Sequence, residues 1–180
     1  METTNLLLRP LQDSDEELLL GYVLNPLVGE AAGWRPPNAG VSGKRILAKI
    51  LSHPNSFVVT LKPEDYPIGC IALMLYGKSK LAKNPTEGEV GFWLGQEFWG
   101  HGYMSEALEA MLAYSFTVKK LAKIWYGYFQ ENTQSEKLAA KFGFHYEYTR
   151  NYTYWPALHA IKVEKITALT SREWLARKIQ

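Results

Sequence analysis

The sequence predicts a mixed α/β fold of the α+β kind, a mixed sheet with helices over its faces, in the order β-α-α-β-β-β-α-β-α-β-β. Three observations predict it. Strand-length apolar runs alternate with stretches of helical spacing along the whole chain. No internal repeat, low-complexity tract or linker interrupts them. The length of 180 residues suits one domain, spanning 1–180, whose core needs no disulfide or metal.

The elements follow in order. Asn5–Arg9 is an apolar first strand, and Asp13 or Ser14 caps a helix running to about Leu24 with Leu18, Leu19 and Tyr22 inward. From Leu27 to Gly43 two adjacent prolines and several glycines predict an irregular, aromatic-containing loop. Ser42 then caps a second helix over Lys44–Leu51, whose Ile46, Leu47, Ile50 and Leu51 recur at helical spacing. Strands are predicted at Ser56–Leu61 and Ile68–Tyr76 around the turn-forming KPEDYP, and a fourth at Glu89–Leu94 after a polar loop from Gly77 to Gly88. Tyr103–Val118 places Met104, Ala107, Leu108, Met111, Leu112 and Ser115 on one helical face. A fifth strand is Ile124–Phe129. A short helix over Thr133–Phe142 ends where Gly143 supplies a left-handed stop and Phe144 a hydrophobic clasp. The chain closes with a hairpin, His145–Tyr152 against His159–Thr167, a loop around Trp155 and Pro156, and a terminal helix.

Composition narrows the function. Lys and Arg exceed Asp and Glu by two, which argues against a broad basic face for nucleic acid. The single cysteine, Cys70, excludes an internal disulfide framework and a cysteine zinc site, fits a reducing, cytoplasmic compartment, and sits among apolar strand residues as core. No run of eighteen apolar residues predicts a membrane span. The four histidines, at 53, 101, 145 and 159, lack metal-ligand spacing, so no metal is expected.

The stretch GEVGFWLGQEFWGHGYMSEALEAML carries the chemistry: a strand leads through a glycine-containing turn into an amphipathic helix. Gly100 and Gly102 let backbone approach a ligand, and the N–H groups near Tyr103 and Met104 lack intrahelical partners, so the turn is an anion site in outline. An ordinary turn before a helix has the same pattern. A Walker loop is excluded because no Gly-Lys-Ser/Thr follows, and a dinucleotide fingerprint because its third glycine is missing.

WGHGYMSEAL, Trp99–Leu108, and NTQSEKLAAKFGF, Asn132–Phe144, resemble in the right order two motifs of the GNAT acetyltransferases, in particular the branch of ribosomal-protein N-terminal acetyltransferases. LLLRPLQDSD and GWRPPNAG also have counterparts there, so the resemblance covers nearly the whole chain. It implies a mostly antiparallel GNAT sheet and acetyl-CoA as donor to a primary amine through a ternary complex. The pyrophosphate is implied at Trp99, Gly100, His101, Gly102, Tyr103 and Met104, and the pantetheine arm between the fourth and fifth strands. Two departures stand out: Glu97 occupies a position usually Gln or Arg, and Ala139 one that often carries an acid tyrosine.

The resemblance also assigns roles. Glu89 accepts the amine's proton directly or through water; the plainer reading is a solvated glutamate at a strand edge. Amides around Trp93 and Leu94 polarise the thioester carbonyl if the ladder to the fifth strand opens there. Asn132 holds the pantetheine arm, caps the following helix, or both, and Ser135 donates to the departing thiolate or simply sits in the first helical turn. Tyr146, Tyr148, Tyr152, Tyr154, Trp155 and Trp34 either wall an acceptor site or pack the sheet and hairpin. The acceptor is a protein N-terminus or a small amine, and the protein a monomer or homodimer. A catalytically silent acyl-CoA-binding module is the alternative from another class.

Overall fold

The computed structural model describes residues 1–36, 47–48, 51 and 53–177. The expected helix Lys44–Leu51 and its Ser42 cap fall outside these residues except for Leu47, Ala48 and Leu51, which are helical. Among the described residues there are seven strands, β1 (Leu6–Arg9), β2 (Ser56–Leu61), β3 (Tyr66–Leu75), β4 (Glu87–Leu94), β5 (Lys123–Phe129), β6 (His145–Trp155) and β7 (Ala160–Thr170). The described helices are α1 (Glu16–Val23), α2 (Pro26–Ala32), α3 (Tyr103–Ala113), α4 (Thr133–Lys141) and α5 (Ser171–Arg177). The strand order is β1-β2-β3-β4-β5-β7-β6. β4 runs parallel to β5, whereas β1/β2, β2/β3, β5/β7 and β6/β7 are antiparallel, so the sheet is mixed and mostly antiparallel, as the resemblance implied. The chain divides into two compact units, Met1–Ala72 with Phe92–Met111, and Leu73–Gly91 with Leu112–Gln180.

In the first unit the core gathers Leu19, Tyr22, Val23, Val28, Trp34, Val58, Cys70 and Trp93. Leu18 was expected inward but is 37 % exposed. The helical period explains the difference: the inward stripe is Asp15, Leu19, Tyr22 and Val23, and Leu18 lies about 100° away from Leu19 around the helix. Asp15, 2 % exposed, can occupy that stripe because Arg9 meets it with two bonds of 2.7 and 2.8 Å, and the Gln12 amide adds a third at 2.8 Å. Arg9 also grips Asp65 at 2.8 Å, tying β1 to the turn after β2. The expected cap at Asp13 or Ser14 is replaced by a single 3-10 turn, Asp13–Asp15, entered from Gln12.

The predicted irregularity from Leu27 onward is corrected by α2. Asn25 accepts from the Leu27 amide at 2.9 Å, Pro26 has the φ a first helical position needs, and Gly33 ends the helix at φ 94°. That Asn-Pro…Gly spacing was present in the sequence, but the interior Gly29 and the prolines further on obscured it. Trp34 then folds back, its indole N–H donating to Val23 O at 3.0 Å and its ring meeting Trp93 edge-on at 5.9 Å.

In the second unit β5 lies beside β7 over its whole length, from Lys123 opposite Thr170 to Phe129 opposite Glu164. The long helix expected over Tyr103–Val118 is α-helical only to Ala113 and then widens into a π turn, Tyr114–Val118. α4 ends as predicted: Gly143 has φ 74° and Phe144 N–H reaches Ala139 O at 3.0 Å. Arg177 of α5 closes the same end by donating to Phe142 O at 2.8 Å. The hairpin is longer than expected, with Trp155 inside β6 opposite Ala160 instead of in the loop. Two register shifts along β6 absorb extra residues, and the actual turn follows Trp155 with Leu158 buried in it.

Candidate functional site

In the first unit, β4 ends at Leu94 and the chain passes through a 3-10 turn, Gln96–Phe98, into the glycine segment. Trp99 closes this turn, its indole N–H donating to Leu94 O at 3.0 Å. Its backbone N–H is taken by Gln96 O at 3.1 Å, so the free amide series starts after it. Gly100 and Gly102 have φ of 80° and 85°, conformations that side-chain-bearing residues rarely adopt, and a Cβ built on either would meet nothing within 4 Å. Gly102 O accepts the Glu106 amide at 3.1 Å, which makes Glu106 the first residue of α3 with an intrahelical acceptor for its N–H. The amides of Tyr103, Met104 and Ser105 are thus the orphan donors of a helix start, aimed where the dipole is positive. His101 is exposed and stacks on Tyr103 at 5.7 Å. The other end of α3's first turn is anchored by Glu106, whose carboxylate accepts from the Asn5 amide at 2.7 Å and its side chain at 2.9 Å.

Trp93 and Leu94 are 6 % and 5 % exposed, and Trp93 belongs to the core through Trp34. Glu97, the departure from the family pattern, is exposed in the 3-10 turn. Cys70 is buried, and its thiol is pushed well above the ordinary range by burial, with Asp15's charge adding to it, so it is an inert core residue.

In the second unit the parallel ladder joins β4 to β5 through three pairs, Glu87 with Lys123, Gly88 with Ile124 and Glu89 with Trp125, and stops there, before Trp93 and Leu94 are reached. Side chains alternate across a strand, so Trp125 and Tyr126 face opposite sides of β5. Trp125 packs with Leu81, Ile166, Ala168 and Tyr148, and Tyr126 with Phe144. Glu89 shares the Trp125 face. Its Oε2 accepts from Ser79 Oγ at 2.7 Å, Lys80 N at 2.9 Å and Leu81 N at 3.2 Å, which folds the loop after β3 onto this face. Glu87 anchors the same loop at Lys83 N, 2.8 Å, and accepts the Trp125 indole at 2.7 Å. Burial alone would raise the Glu87 pKa; the Lys83 amide and Trp125 outweigh it, and the carboxyl lies below its usual range.

Asn132 and Ser135 come together at the start of α4, where Asn132 Oδ1 accepts the Ser135 amide at 3.0 Å. Ser135 is half-buried, and its side chain acts on the Tyr126 phenol, which burial pushes above its ordinary range. Asn132 and Ser135 therefore belong to the Tyr126 face of β5, and Glu89 to the other. Of the suspected aromatic wall, Tyr146, Tyr152 and Tyr154 are exposed, Trp34 is core, Tyr148 packs on Trp125, and Trp155 meets Phe129 edge-on at 5.1 Å.

Two groups were missed from sequence. Tyr126 was one apolar-looking member of a strand, and nothing in its spacing sets it apart. Glu164 carried a readable signal, a charge in phase with Ile166 and Ala168 on a period of two, and it is 7 % exposed on the Trp125 face. Among the described residues there is no group of three metal-ligating side chains, and no helix is long and apolar enough to cross a membrane.

Comparison with known proteins assigns the class. The acetyltransferase (GNAT) domain family matches residues 5–145, and the chain belongs to that family of acetyl-transferring enzymes, whose donor is acetyl-CoA. It is similar to an uncharacterized N-acetyltransferase, p20, of Bacillus licheniformis, with 28 % identity over 151 residues, 81 % of this chain and 82 % of that one. A GNAT-family acetyltransferase from Bacillus anthracis superposes with a TM-score of 0.82 at 23 % identity, covering 96 % of this chain and 99 % of the other. A spermidine N-acetyltransferase from Vibrio cholerae, in complex with CoA and spermine, gives 0.76 at 21 % identity, covering 94 % and 98 %. A ribosomal-protein-S5-alanine acetyltransferase from Vibrio fischeri gives 0.70 at 23 % identity, covering 97 % of each chain.

Proposed function

We propose that this chain transfers the acetyl group of acetyl-CoA directly to a primary amine in a ternary complex, the acceptor being a protein N-terminus or a small amine. One observation carries the reading: two left-handed glycines with open space above them feed the start of α3 inside a GNAT domain. That cradle fits a pyrophosphate, because closely spaced amides and a helix N-terminus offer donors and positive potential without a side chain in the way. The amides from Gly100 to Met104 hold it, with Trp99 bracing the turn and His101 at its rim. Bound there, acetyl-CoA supplies an activated acyl group.

The chain's own residues do the rest. The amides of Trp93 and Leu94, beyond the end of the β4/β5 ladder, polarise the thioester carbonyl. Asn132 orients the pantetheine end, and the Ser135 hydroxyl donates a hydrogen bond to the departing sulfur, a role left open because Ala139 stands where the wider family often has a tyrosine. A carboxylate on the Glu89 face takes the amine's proton.

The test is a screen of polyamines, amino sugars and peptides with free N-terminal alanine or serine, read by release of the coenzyme thiol. Acetyl-dependent thiol release with at least one class is the expected result. Tight acetyl-CoA binding with no release across the panel would replace the enzyme by a coenzyme-sensing module.

A further inference from the structure

Resting on that reading of amine acetylation, we infer that Glu164 of β7 receives the acceptor's ammonium group and takes its proton, while Glu89 serves to hold the neighbouring loop. Glu164 lies opposite Phe129 and Arg150 in the ladders of β7, on the face that carries Trp125 and Glu89. Its ion pair to Arg150 Nη1 is 3.4 Å long, and Arg150 divides its donors by reaching Lys80 O at 3.3 Å. The other carboxylate oxygen, Oε1, sits over Gly127. A Cβ at Gly127 would come within 2.6 Å of it, so the bare strand at this point is what gives the carboxylate its place. This is also the stretch of β5 that continues past the end of the β4 ladder.

Glu89 and Glu164 differ in how they are engaged. Three donors converge on Glu89 Oε2 and tie that carboxylate to the loop after β3. Glu164 is nearly buried. The groups facing it are Arg150 from β6, Lys80 from the loop and Glu89 from β4. Burial raises its proton affinity first, Glu89's charge adds to that, and Arg150 and Lys80 oppose it without overcoming it. A buried carboxylate held by a long ion pair is costly to keep for structure alone, and a raised proton affinity suits a base that works near neutral pH.

The ammonium nitrogen gives up two protons in becoming an amide: one passes to Glu164 and on to solvent, and the other ends on the departing coenzyme sulfur. The C–N bond forms and the C–S bond breaks.

The experiment compares wild type, Glu164→Gln and Glu89→Gln with spermidine and with a hexapeptide bearing a free N-terminal alanine. Thiol release is followed from acid to alkaline pH, and spermidine binding to the CoA-saturated protein is measured by calorimetry. Glu164→Gln should lower kcat/KM at neutral pH by about a hundredfold or more, lose the rising acid limb, and leave acetyl-CoA affinity unchanged. Loss of that limb in Glu89→Gln with a wild-type profile in Glu164→Gln overturns the inference. If wild type acetylates neither probe, the amine-transfer reading fails, and binding alone decides Glu164: spermidine affinity at least about tenfold weaker in Glu164→Gln supports it as the ammonium site, and equal or absent binding in both proteins overturns it. Should Glu164→Gln not fold, Gly127→Ala, which displaces the carboxylate and keeps its charge, should reproduce the loss; an unaltered pH profile there overturns the inference.

Discussion

Gly102 offers the sharpest test of the proposed coenzyme loop. Its φ of 85° lies in the left-handed region, and a Cβ there would touch nothing within 4 Å. A Gly102→Val substitution therefore places its Cβ in open space, and the backbone term, about 1 to 3 kcal/mol for a side-chain-bearing residue held in a sparsely populated conformation, dominates its effect. The loop is exposed at Gly100, His101 and Gly102, so in the free protein it can relax out of that conformation and leave the fold intact. Binding must then restore it. At about 1.4 kcal/mol per tenfold, acetyl-CoA affinity should weaken roughly 5- to 150-fold, with little change in Tm. Gly102→Asn should lose less, because asparagine tolerates the left-handed region. Isothermal calorimetry of the three proteins measures this directly. Valine and glycine forms with equal Kd would show that the coenzyme does not use this loop conformation, and a large fall in Tm would show that the loop supports the fold.

Three further outcomes are expected. Ser135→Ala should lower kcat by about ten- to more than a hundredfold, the value of one hydrogen bond of roughly 1.5 to 3 kcal/mol to a charged group made only in the transition state. The cap bond to Asn132 comes from the Ser135 backbone, which alanine keeps, so the start of α4 stays in place; full turnover would end the assignment. Arg9→Met should destabilise the protein by about 3 to 5 kcal/mol in chemical denaturation by leaving Asp15 buried without its partner. The same pair sets an acid dependence. Burial would raise the Asp15 pKa, but Arg9 and the Gln12 amide hold it below its usual value, so its contribution is present above about pH 4 and is lost as pH falls through the lowered folded-state value. Without Arg9, burial outweighs the remaining Gln12 bond and raises that pKa above the unfolded one, and the dependence should reverse in sign; a Tm against pH curve parallel to wild type would refute the ion pair's role.

Much of the fold was legible because local chemistry and final structure agree. Ser56–Leu61 is apolar and β-branched and lies inside the sheet. Gly143 and Phe144 end α4 as their spacing predicts, and the glycines at 100 and 102 announce the turn before α3 by conformational need alone. Where the pattern misled, a long-range partner was the cause. Leu18 loses its inward place because Arg9, from β1, makes it possible for Asp15 to be buried in the stripe. Trp155 leaves the turn for β6 because it finds Ala160 opposite and Phe129 beneath.

The candidate site divides along the same line. The proposed anion-binding turn is a property of consecutive backbone conformations, and a sequence of glycines followed by an amphipathic helix encodes it without reference to the rest of the chain. The assignment of carboxylates to roles depends on atoms brought together from distant positions. Glu89 is a strand-edge glutamate until Ser79, Lys80 and Leu81 are seen converging on one of its oxygens. Glu164 is one charge in a polar-looking hairpin until β5 places Gly127 beneath it and β6 places Arg150 beside it. The sequence by itself determined the family, the donor class and the backbone cradle, because these rest on local conformation and motif. Only the tertiary structure decided which acidic side chain is bound up in holding a loop and which is buried with its proton affinity raised, because desolvation and the count of donors are sums over neighbours that no linear spacing records.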